Sequence, residues 1–146
     1  MRAKMGYRYV EHTADVKFIA YGKGMEELFS NSAMALFNVM ADTSCVSAHG
    51  RKGRIARISV RAGDENTLLW RFLQRCLSVL EVRGDFAYGI RGVRITKGKE
   101  LRLDCSLECK DMAVECSKLE AKGISKYDLA VRKGRAGYSA SVVVDV

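Results

Sequence analysis

Residues 101–109 alternate without exception: Leu101, Leu103, Cys105, Leu107 and Cys109 are apolar, and Arg102, Asp104, Ser106 and Glu108 between them are polar. A period of two sends the apolar side chains to one face of an extended strand and the polar ones to the other. A sheet with one wet face is permitted by antiparallel pairing, whereas all-parallel sheets are covered on both sides. The chain must therefore supply something apolar to cover the other face.

Two stretches can do so. Met25, Leu28, Phe29, Ser32, Ala33, Leu36, Phe37 and Met40 recur at steps of three and four, all apolar except Ser32, which predicts an amphipathic helix over Met25–Met40. Leu69, Phe72, Leu73, Cys76, Leu77 and Leu80 repeat the spacing and predict a second helix over 67–82, with Asn66 and Gly84 as caps. Asp64 and Glu65 suit that helix's positive end, and for Asp64 capping is a better reading than contact with a partner.

The other segments read as strands at 16–21, 55–61, 92–96, 119–125, 127–131 and 138–144. Lys97-Gly98-Lys99 makes a hairpin of 92–96 and 101–109, residues 110–117 read as a loop, and with no proline anywhere glycine does the punctuating. The expectation is an α+β fold, two amphipathic helices packed on a mixed, largely antiparallel β-sheet, with residues 1–146 as a single domain. A hydrophobic content of 48% with 29% charge gives such a chain a core, which sets intrinsic disorder aside.

The opening stretch Met1-Arg2-Ala3-Lys4-Met5-Gly6 has no apolar signal segment, and the uncharged run at 28–41 is too short to span a bilayer, so a cytoplasmic protein is expected. The five cysteines form no Cys-x-x-Cys pair and are expected to be reduced and mostly buried. With only His12 and His49 beside them, no zinc-finger spacing arises.

Net charge is +8, which favours a polyanionic partner such as RNA or an acidic protein surface. Cations gather in Arg51-Lys52-Gly53-Arg54, in the series Arg91, Arg94, Lys97, Lys99 and Arg102, and in Arg132-Lys133-Gly134-Arg135. Few aromatics are interleaved, so they would hold phosphates without reading bases.

The acidic signals sit elsewhere. Asp15 closes Glu11-His12-Thr13-Ala14-Asp15 immediately before a strand, and Asp145 is followed by Val146 and its free carboxylate at the end of another. Should the fold join these ends, Asp15, Asp145 and the Val146 carboxylate offer oxygen donors alone, suited to Ca2+ or another hard divalent cation such as Mg2+. Without a cation, three such carboxylates would repel one another. His12 lies three residues from Asp15 but has no nucleophile and no orienting partner, so a metal-dependent hydrolase is poorly supported. Gly22-Lys23-Gly24 reads as an ordinary strand-to-helix turn as readily as a phosphate loop.

Along essentially its whole length the chain resembles the archease family. The resemblance rests on Tyr9-Val10-Glu11-His12-Thr13-Ala14-Asp15, Ala20-Tyr21-Gly22-Lys23, Met25-Glu26-Glu27-Leu28-Phe29, Ala33-Met34-Ala35-Leu36-Phe37-Asn38-Val39-Met40, Leu68-Leu69-Trp70 and the ending Val144-Asp145-Val146. It implies a non-catalytic cytoplasmic cofactor of the RtcB-type RNA ligase of tRNA splicing, one that promotes ligase guanylylation and multiple turnover, with RNA reached through the ligase complex. It also implies calcium at Asp15, Asp145 and Val146. A stand-alone basic RNA-binding module is the alternative. In two places the chain departs from the family pattern: Lys126-Tyr127 stands where a Tyr-His pair is usual, and Tyr138 where a Trp is usual.

Overall fold

In the computed structural model, residues 6–11, 14–49 and 51–146 are described. The strands are β1 (Tyr7–Val10), β2 (Val16–Gly22), β3 (Gly53–Ala62), β4 (Asp85–Lys97), β5 (Leu101–Asp111), β6 (Gly123–Ile124), β7 (Ala130–Gly134) and β8 (Gly137–Asp145). The helices are α1 (Met25–Met40), α2 (Thr43–His49) and α3 (Glu65–Arg83), with a short 3-10 turn at Val114–Cys116.

The strands form two sheets where one was expected, and every pairing is antiparallel. One sheet runs β3-β5-β4; the other runs β1-β2-β8, with β6 and β7 both paired to β8. Strand β5 lies central in its sheet and buries Leu103, Cys105, Leu107 and Cys109, as its alternation requires. Helices α1 and α3 each touch both sheets, so a single apolar cluster joins Phe18 of β2, Leu28 and Phe29 of α1, Phe72 of α3 and Leu103 of β5. At its centre the Phe29 and Phe72 rings stack with centroids 6.0 Å apart. Ser32 is polar in this apolar stripe and fully buried, and its hydroxyl donates to the Leu28 carbonyl at 2.8 Å, which removes the cost of an unpaired group.

Helix α3 starts two residues earlier than its apolar period implies. Its cap is Asp64, whose carboxylate accepts from the Thr67 N–H at 2.8 Å and the Thr67 hydroxyl at 2.9 Å. Asn66, read from sequence as the cap, instead accepts from the Val131 N–H of β7. The bonds from Thr67 hold the Asp64 carboxyl below its ordinary pKa. Replacement of Asp64 by alanine is expected to cost about 1 kcal/mol of stability, measurable by urea denaturation, and Asp64→Asn should recover most of it.

Three further expectations are corrected. Helix α2 was not foreseen; Asp42 caps it by accepting from the Ser44 and Cys45 N–H groups, and only Val46 of its residues is buried. The 119–125 strand shrinks to β6, because the main-chain N–H groups of Lys118 and Leu119 donate to the Met40 and Val39 carbonyls at the end of α1. Arg54 belongs to β3 rather than to a basic turn, and its guanidinium bonds both Asp85 and Asp111.

The cysteines divide. Cys76, Cys105 and Cys109 are free, buried thiols, whereas Cys45 and Cys116 form a disulfide between α2 and the 3-10 turn. Burial pushes the Cys105 thiol up to about 12 and Cys109 to about 11, and Cys76 rises well above its ordinary value. Burial thus favours the protonated thiol at all three positions.

Candidate metal centre

The register of β2 on β8 brings the acidic signals together. Val16 pairs with Val144 as the outermost cross-strand pair, so Asp15, which precedes Val16, comes across from Asp145, which follows Val144. Both are partly exposed at the same end of the sheet.

The other edge of β8 is held just as firmly. Gly123 pairs with Asp145 and Ile124 with Val144, while the Lys122 N–H donates to the Asp145 carbonyl at 2.7 Å. Strand β6 is only two residues long, and α3 keeps it in place: the Trp70 indole N–H donates to the Ile124 carbonyl at 2.8 Å, and the Gln74 carbonyl accepts from the Ile124 N–H at 2.7 Å. A Cβ placed on Gly123 would lie 3.8 Å from Asp145 Oδ2 and 3.6 Å from Gln74 Oε1, so both oxygens flank a position without a side chain. Lys126 Nζ sits 5.3 Å over the Trp70 ring and closes the far side of this anchor.

Two side-chain carboxylates at the end of a strand secured on both edges provide hard oxygen donors, the chemistry Ca2+ or Mg2+ requires. Among the described residues no group of three or more His, Cys, Asp or Glu side chains could hold a metal ion. His12 lies outside the described residues. The contribution of Trp70 and Gln74 was missed in the sequence; both lie on the α3 face that turns to β6, and only the Leu68-Leu69-Trp70 string hinted at it.

The archease family model matches residues 7–146. The chain belongs to the archease family. It is 30% identical over 142 residues to the protein archease of Archaeoglobus fulgidus, with 97% of this chain and 100% of the relative covered. Against the protein archease of Methanosarcina barkeri it is 33% identical, with 96% and 95% covered. The solution structure of a Methanobacterium thermoautotrophicum protein superposes with a TM-score of 0.79 at 27% identity, spanning 97% of this chain and 99% of that one. A crystal structure from Thermotoga maritima, described as an archease and possible chaperone, shares the fold with a TM-score of 0.59 at 17% identity, covering 100% and 98%. The archease fold thus accounts for both sheets and both long helices.

Proposed function

We propose that this archease-family protein is a non-catalytic activator of an RtcB-type RNA ligase in tRNA splicing, promoting ligase guanylylation and multiple turnover through its acidic apex. The observation that carries the reading is the β2–β8 register, which sets Asp15 across from Asp145 beside Val146. Asp15, Asp145 and the Val146 carboxylate would hold the cation, Ca2+ or another hard divalent ion, and this ion would supply positive charge for nucleotide phosphates. The chain's own part is positional. Strand β6, locked by Trp70 and Gln74, keeps Asp145 from fraying, so the carboxylates are presented without loss of conformational entropy on docking.

Family membership supports this reading. No helix among the described residues is long and apolar enough to cross a membrane, in keeping with a cytoplasmic site of action. A stand-alone basic RNA-binding module is the second reading, favoured by the net charge of +8.

The test is multiple-turnover ligation by the cognate ligase at limiting enzyme. Wild-type protein should raise turnover, and Asp15→Ala and Asp145→Ala should each lose about tenfold or more of the stimulation, the scale on which metal-site residues act. Stimulation unaffected in both variants would remove the apex from the mechanism.

A further inference from the structure

The opposite end of the β2–β8 pair carries the opposite charge. From Val16↔Val144 to Gly22↔Tyr138 the register spans seven pairs, a distance of about 20 Å at the rise of a strand. There, between the β2–α1 junction and the β7–β8 hairpin, lies an open groove of about 940 Å³ lined by Tyr21, Lys23, Arg132, Lys133, Arg135 and Tyr138 among others.

Two glycines let main chain pack against main chain beside the groove. A Cβ on Gly22 would lie 2.3 Å from the Leu28 nitrogen, and one on Gly137, at φ 126°, would lie 2.5 Å from the Gly22 carbonyl oxygen. Lys23, Arg132, Lys133 and Arg135 are all exposed around the groove. Among the described residues none of the four has a carboxylate within 4.0 Å, since the ion pairs join Arg54 to Asp85 and Asp111, and Arg102 to Asp104. Glu27, the acid in the lining, is occupied as acceptor of the Lys23 N–H at 2.6 Å. Four cations facing one acid need anions from outside.

Lys133 Nζ lies 5.7 Å over the Tyr138 ring, so a cation already covers one face there, while the Tyr21 hydroxyl accepts from Arg8 Nε at 2.8 Å. The recognition chemistry of the groove rests on its cations. Arginine contributes two of the four cations, and its fork matches phosphate oxygens two at a time.

We propose that this groove binds single-stranded nucleic acid through its phosphates, independently of base sequence. The inference does not rest on the ligase reading, and its test contains no ligase. Binding of a fluorescent 12-nucleotide oligouridylate and its deoxy counterpart is followed by anisotropy against salt. Each engaged phosphate on a single strand contributes about −0.7 to the slope of log K on log salt, so four cations predict a slope of about −3. The triple variant Arg132→Ala, Lys133→Ala, Arg135→Ala should flatten the slope to about −1 and weaken binding at least about tenfold. A second triple, Arg51→Ala, Lys52→Ala, Arg57→Ala, removes equal charge from exposed residues that do not line the groove and should stay within about twofold. Circular dichroism melts show whether each variant is folded. RNA and DNA binding alike supports phosphate contact. Equal weakening by the two triples would reduce the effect to net charge, and displacement by polyglutamate at equal charge would hand the groove to an acidic protein; either result overturns the proposal.

Discussion

Asp85→Ala is expected to destabilise the protein by about 3 kcal/mol, which at this chain length lowers the melting temperature by about 10 °C. Asp85 is fully buried at the start of β4, and its register partner across the strands is Asp111 at the end of β5. Two carboxylates directly opposite each other are unfavourable by themselves. Arg54 resolves this from the third strand: its Nε donates to Asp85 Oδ2 at 3.1 Å, and its Nη2 reaches both Asp85 and Asp111. Loss of Asp85 takes away the only buried member of the triad together with the bonds that satisfy the guanidinium there. Asp111 has a side chain 44% exposed, so Asp111→Asn should cost under about 1 kcal/mol, as exposed ion pairs do. Equal losses from the two substitutions would show that burial does not set the value of this cluster.

That triad shows where sequence reading stops. The period of β5 and the apolar stripes of α1 and α3 are local patterns, and they came through because each side chain's neighbours lie within a few residues. Arg54, Asp85 and Asp111 are separated by 31 and 57 positions and meet only through strand register, which no local pattern encodes. Arg54 therefore looked like a surface cation. Helix α2 was missed for a different reason: with one buried residue it has no apolar stripe, and it is held by the Asp42 cap and a covalent bond. The acidic residues themselves were legible as strand-end carboxylates, and the β2–β8 pairing ends at Val16↔Val144, one residue short of each. The Trp70 and Gln74 anchor was not legible, because a Trp and a Gln on a helix face carry no sign of which main-chain groups they will bond.

Removal of the Cys45–Cys116 disulfide should lower stability by about 3–4 kcal/mol. The bond closes a loop across 71 positions, enclosing β3, α3, β4 and β5, and in the chain-entropy account a loop of that length restricts the unfolded ensemble by about 4 kcal/mol. Its native environment is a small apolar cluster of Ala41, Val46, Phe86 and Cys116, separate from the main core. Reduction, or the pair Cys45→Ser and Cys116→Ser, should move the urea midpoint downward and raise the m-value, since the released unfolded chain exposes more surface. Thiol counting under denaturant comes first. Unreduced protein should give three free thiols, from Cys76, Cys105 and Cys109, and reduced protein five. Five thiols without reductant would mean that the pair is open in solution, and α2 would then be held by Val46, the Asp42 cap and the bonds of Thr43 to Asn38 and of Lys110 to the Ser47 carbonyl.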